Sequence, residues 1–137
     1  MIKYGSLPFI EAIALLRKKI NLPTPTWDTI WQDEHMRSFT VAGAMTDDIV
    51  ADFREAVRKA QEDGTTLGTF RKDFDDIVKK YGWGYVGSRN WRSRLIYETN
   101  LKTLHAAGRW RQMTDPDVMR SRPYLVYRHG VSAIPRP

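Results

Sequence analysis

Two short clusters pair arginine with tryptophan: Arg89, Trp91, Arg92 and Arg94, then Arg109, Trp110 and Arg111. A guanidinium presents a planar fork of donors that matches phosphate or carboxylate oxygens. An indole ring stacks on bases or fills an apolar pocket on a partner protein. The chemistry on offer is binding. Glu98 and Lys102 lie between the clusters, with Glu98 four residues from both Arg94 and Lys102. That spacing makes a surface ion-pair ladder the plain reading and a docking network the sharper one. These nine residues are the candidate partner- or DNA-binding set.

Bond-making chemistry has no comparable signal. His35 follows Asp33 and Glu34, but a zinc-protease helix needs a second histidine four residues on, and position 39 is Phe. His105 and His129 are isolated. Gly82, Gly84 and Gly87 lack the spacing of a phosphate-binding loop and no Gly-Lys-Ser/Thr follows, so they read as a flexible hinge. A strand–serine–helix nucleophile elbow is missing. The expectation is a non-enzymatic protein with no catalytic residues, no metal and no cofactor.

The elements that must hold the binding set are helices. Phe9, Ile13, Leu16 and Ile20 recur at helical spacing, which predicts a helix from about Pro8 to Ile20 with Ser6 as N-cap. Pro23 and Pro25 end it. A second helix is expected from Trp27 to Met45, capped by Thr26, with Trp27 and Trp31 on one face. The third follows Thr46, carries Ile49, Val50, Phe53, Val57 and Ala60 as one apolar stripe, and stops at Gly64. The fourth, from about Thr66 or Thr69 to Tyr81, repeats the pattern with Phe70, Phe74, Ile77, Val78 and Tyr81 facing inward, and stops at Gly82. Glu55–Lys59, Asp75–Lys79 and Asp76–Lys80 are spaced as ion pairs within these helices. The fifth runs from about Ser88 to Met113 and holds the whole candidate set; Asp115-Pro116 breaks it. Tyr124 to Tyr127 reads as a short strand. The expected fold is mainly α, with about five helices in a bundle-like arrangement and a short β element near the C-terminus.

Charge divides the chain. Residues 1–84 carry 12 Lys/Arg against 13 Asp/Glu, a net −1; residues 85–137 carry 10 against 3, a net +7. The first part is expected to be a near-neutral helical region, and the second a glycine hinge, a long basic helix and a β tail. Such asymmetry points to a polyanion or an acidic protein surface. The chain has no cysteine, which excludes disulfides and thiolate metal sites. Its start reads as lacking a signal peptide, and its apolar runs fall far short of a membrane span.

Three stretches, in order, resemble the phage Mu F-like minor head protein family. The first is Trp27-Asp28-Thr29-Ile30-Trp31-Gln32-Asp33-Glu34-His35 with Phe39-Thr40-Val41-Ala42. The second is Gly64-Thr65-Thr66 leading to Phe70-Arg71-Lys72. The third is Arg94, Tyr97-Glu98-Thr99-Asn100 and Ala106-Ala107-Gly108-Arg109. The resemblance covers about residues 6–130 and rests on order and spacing. It implies a small protein of the virion head, made in the host cytoplasm, that associates with the portal during head morphogenesis. The partners it implies are the portal or other head proteins. Family members continue into a β region containing His and Gly, whereas this sequence ends soon after Arg128-His129-Gly130; the expectation is the N-terminal portion of such a protein. Two other readings stand beside it. One is a general nucleic-acid-binding helical module unrelated to virions, contacting phosphates, those of double-stranded DNA included, without sequence preference. The other is the delivery module of a Mu F-linked toxin.

Overall fold

The computed structural model describes residues 9–126. The chain is mainly helical. In order it forms α1 (Ile10–Lys18), β1 (Ile20–Asn21), a 3-10 turn (Trp27–Thr29), α2 (Gln32–Arg37), β2 (Ser38–Phe39), α3 (Asp47–Asp63), α4 (Leu67–Tyr81), α5 (Arg89–Met113) and α6 (Pro116–Ser121).

The two central helices form as their patterns dictate. In α3 the acidic pair Asp47 and Asp48 sits at the positive end of the helix dipole, and Ile49, Val50, Phe53, Val57 and Ala60 are all buried. Gly64 ends it with φ at 66°, a left-handed turn that costs glycine little. Thr46 takes the extended N-cap conformation but makes no side-chain cap bond. In α4, Thr66 does cap, accepting from the Thr69 amide at 3.3 Å. Phe70 and Phe74 are completely buried; each such ring stabilises the fold by roughly 1.5–3 kcal/mol through lost water contact. Phe53 meets Phe74 at 5.8 Å between ring centroids, and Trp83 packs edge-on against Phe53 at 5.2 Å.

Trp83 corrects the hinge reading of the glycine segment. It is buried, and its indole N–H donates to the Gly43 carbonyl at 3.0 Å. Tyr85 packs beside it and on Phe74. This connection between α4 and α5 is a packed strap.

The expected helix from Trp27 to Met45 does not form. Only residues 32–37 are α-helical there. Ser38 and Phe39 instead pair in parallel with Ile20 and Asn21, and Leu22, Thr24 and Gly43 continue the contact through backbone bonds to Phe39, Ala44 and Thr24. Phe39 and Val41 are buried in alternation, which is a strand-like period. Tertiary pairing with the chain after α1 overrides local helix preference. Trp27 and Trp31 are both exposed. Ser6 lies outside the described residues.

The C-terminal β element is also corrected. The two short strands lie at 20–21 and 38–39, while residues 122–126 carry no strand and Tyr124 and Val126 are exposed. A lone strand with no neighbour to pair with has no stability of its own. Tyr127 lies outside the described residues. In its place the sequence holds a sixth helix: Pro116 sits in the first turn and Asp115 caps it by accepting from the Asp117 amide.

The expected pairs within helices are replaced by others. Glu55 pairs with Arg58, Asp75 with Arg89, and Lys80 with Asp52. The last two tie one helix to the next, where an arginine fork or a second donor (Tyr81 on Asp52, 2.8 Å) improves the geometry.

Candidate functional site

All nine candidate residues lie on α5. Ser88 starts it by accepting from the Trp91 amide at 3.3 Å, and no proline follows until Pro116. Twenty-five residues make a rod about 37 Å long. Its first half leans on α4: Arg71 donates to Ser93 Oγ at 3.3 Å and to the Asn90 carbonyl, and the Tyr97 hydroxyl reaches the Thr65 carbonyl at 2.8 Å. Its second half is crossed by α1. Gly108 makes this crossing possible, because a Cβ there would meet the Ala12 amide at 2.9 Å and the Phe9 ring at 3.0 Å. Leu104 is buried at the crossing, and His105 stacks edge-on with Phe9 at 4.9 Å.

The first Arg–Trp cluster is largely taken up by the fold. Arg92 is only 8% exposed, which removes it from any binding surface. Its Nη2 donates to the Ala42 carbonyl and its guanidinium lies over the Trp83 ring at 5.7 Å. Its Nε has no hydrogen-bond partner, and no carboxylate pairs with it among the described residues. Burial pushes its pKa below the usual guanidinium range. Arg89 grips Asp75 with Nε and Nη2, both at 2.6 Å. That contact raises the Arg89 pKa and holds the Asp75 carboxyl below the ordinary range. Arg94 and Lys102 both bond Glu98, at 2.7 and 3.0 Å. Lys102 first, then Arg94, lowers the Glu98 pKa. The ladder reading of these three side chains therefore holds in the structure. Trp91 is half exposed and covers Gly87.

The second cluster is different. Arg109, Trp110 and Arg111 are exposed, Trp110 at 56%. Neither arginine has an ion-pair partner among the described residues. Trp110 forms one wall of an apolar groove of about 800 Å³. Its lining also includes Thr103, Ala106, Ala107 and Thr114 on the same side of the chain, Lys102 and Arg111, and Leu15 from α1. Arg92 and Trp110 are eighteen residues apart, roughly 27 Å along the helix. The two Arg–Trp clusters are thus well separated on the helix.

Two of the three histidines lie within the described residues. His35 Nε2 is 3.1 Å from the Trp27 carbonyl, His105 packs on Phe9, and His129 lies outside the described residues. Among the described residues no group of three His, Cys, Asp or Glu is placed to hold a metal ion, and no helix is long and apolar enough to cross a membrane.

With this geometry established, the chain can be set beside known proteins. It is 33% identical, over 122 residues covering 78% of its length, to a protein of Escherichia phage Mu named "Putative capsid assembly protein F". The chain is Mu F-like. It spans 28% of the length of that relative. No family model matches it, and no solved structure matches it significantly.

Several residues that carry the resemblance have structural roles in the Mu F-like chain. Phe39, Val41 and Phe70 are core. Gly64 is the left-handed stop of α3. Tyr97 ties α5 to the α3–α4 turn, and Gly108 is the α1 crossing point. The groove residues Leu15, Thr103, Ala107 and Thr114 were not singled out for binding from sequence. Their signal was present but weak: 103, 106, 107, 110 and 114 share one helix face, and small residues there look like ordinary helix formers.

Proposed function

We propose that this Mu F-like chain is a non-enzymatic docking module in head morphogenesis of a Mu-like phage or prophage. It acts in the host cytoplasm during assembly and ends in the virion head. It binds other head proteins, the portal foremost, and does so through the exposed second half of α5. The observation that carries the reading is the 33% identity across 78% of the chain to a protein named for capsid assembly. The geometry supports it with an exposed tryptophan, two arginines without ion-pair partners among the described residues, and an apolar groove beside them. Tryptophan and arginine are the residue types that anchor protein interfaces.

Double-stranded DNA is the weaker reading. It rests on the net +7 of residues 85–137, but three of the six candidate cations are ion-paired and a fourth is buried. That leaves little to neutralise a run of phosphates.

Co-expression with the neighbouring portal and scaffold proteins, followed by sedimentation, tests the proposal. The wild-type chain should travel with head assemblies, and Trp110→Ser/Arg111→Glu should stay in the soluble fraction. A wild-type chain found only in the soluble fraction overturns the reading. DNA binding is checked by salt titration: phosphate contact predicts affinity that falls steeply with salt.

A further inference from the structure

We infer that the groove between α1 and the second half of α5 receives one amphipathic helix with acidic flanks, contributed by another protein. The inference deepens the docking reading and rests on it, by naming the site and the chemistry of the partner.

Three features of the groove lead there. First, Thr103, Ala106, Ala107 and Trp110 occupy positions i, i+3, i+4 and i+7 of α5, one continuous face of the helix. This face is turned away from Leu104 and Gly108, the residues that α1 covers. It is a second apolar side of α5, left open by the described residues. Second, its shape suits a helix. Three of the lining residues on the α5 face have small side chains, so a partner backbone can approach closely, and Trp110 and Leu15 supply the large apolar surfaces beside them. Apolar side chains one turn apart on a partner would drop between them, the helix-in-groove mode of recognition.

Third, the charge selects the occupant. Arg111 lines the groove with Lys102, which Glu98 already holds, and Arg109 is exposed next to Trp110. Glu98 is already bonded by Arg94 and Lys102, and Glu11 and Asp115 line the neighbouring cleft together with Arg111. Arg109 and Arg111 remain the cations of this face without an ion-pair partner among the described residues. A helix with glutamates or aspartates beside its apolar stripe would meet Arg111 along one side of the α5 face and Arg109 along the other. A second copy of this chain would instead bring Lys102, Arg109 and Arg111 against their own counterparts, and like charges across an interface oppose association.

The test uses the full chain and two synthetic helical peptides. Both carry leucines at i, i+3, i+4 and i+7; one has glutamates flanking that stripe and the other has lysines. Calorimetric titration should give saturable one-to-one binding of the glutamate peptide, and binding of the lysine peptide weaker by at least about tenfold. Ala106→Arg fills the groove and should also weaken the glutamate peptide at least about tenfold, with an unchanged melting temperature. If that variant melts early, Trp110→Ser serves in its place. Equal affinity for both peptides, no binding, or full binding by both variants overturns the inference. So does a concentration-dependent dimer in sedimentation that Ala106→Arg abolishes, since a second copy would then own the groove. Head association that survives in Ala106→Arg sinks the groove and leaves the assembly reading standing. Peptide binding without head association does the reverse.

Discussion

The two Arg–Trp clusters of α5 have nearly the same composition and opposite fates. At the start of the helix Arg92 is buried against Trp83 and the Ala42 carbonyl, and Arg89 is held by Asp75. Near its end Arg111 and Trp110 face water beside an open groove. What separates them is what lies alongside. The first cluster sits where α4, the Gly82–Gly87 strap and the loop after β2 converge. The second lies beyond those elements, where among the described residues α1 crosses on the side of Leu104 and Gly108 and α6 follows. A cationic–aromatic pattern therefore announces strong contact chemistry without saying whether the contact lies inside the molecule or on a partner.

The largest expected effect is a charge reversal made once in each cluster. Arg92→Glu places a carboxylate in a buried site facing a carbonyl oxygen, with no cation to receive it. The cost should be at least about 3 kcal/mol, because an unpaired buried charge carries a desolvation penalty of several kcal/mol. Against a total stability of roughly 5–15 kcal/mol, that is a large share of what holds the fold. Arg111→Glu, on the exposed face, should change stability by no more than about 0.5 kcal/mol. Urea denaturation of both variants is the check. Equal midpoints would remove the distinction between the clusters. The same comparison shows why head association must be probed at Trp110 and Arg111: an Arg92 variant that fails to dock reports on folding.

Next in size is Gly108→Val, which asks whether the second half of α5 is held by α1. The new side chain would press on the Ala12 amide and the Phe9 ring. Backbone cannot yield as a flexible side chain does, so α1 must move, at a cost of about 1–3 kcal/mol. Valine also stiffens the helix position unfavourably compared with alanine. The expected outcome is a lower melting temperature together with faster amide exchange in α1. A melting temperature equal to wild type would mean that the crossing is looser than the distances imply.

Much of this architecture was legible in the sequence, and the failures share a cause. The stripes Ile49/Phe53/Val57 and Phe70/Phe74/Ile77 mark core because each helix buries one face and its period shows which. Gly64 and Gly82 mark helix ends because a left-handed turn suits glycine. The segment from Trp27 to Met45 was misjudged because Phe39 and Ser38 are placed by pairing with Ile20 and Asn21, partners almost twenty residues away. The hinge reading failed in the same way: Trp83 is fixed by Gly43, forty residues earlier. The site followed this division. The Glu98 ladder, a relation within one helix, could be read from spacing. The burial of Arg92 could not, since the carbonyl that receives it belongs to Ala42. The groove could not either, since its lining includes Leu15 from α1.

The smallest effect separates the two carboxylates that partner these clusters. Asp75 joins α4 to Arg89 on α5, whereas Glu98 only links turns within α5. Both carboxyls have folded pKa values below their ordinary ones, Asp75 through Arg89 and Glu98 through Lys102 and then Arg94. The sign is the same for each: the stabilisation is present above the unfolded carboxyl pKa, about 4, and is lost as pH falls through the lowered folded value. Replacing either by its amide should flatten the acid limb of the stability curve. At neutral pH, Glu98→Gln should lower the melting temperature by no more than about a degree or two, because an exposed pair on one helix is well screened. Asp75→Asn should lower it further, since the fork to Arg89 holds two helices in register. Thermal melts at pH 7 and at pH 3 read both effects. If Glu98→Gln proved as damaging as Asp75→Asn, the ladder would be doing more than bracing its own helix. The open half of α5 would then depend on Glu98 for its shape, and the groove would have to be probed again with that residue neutral.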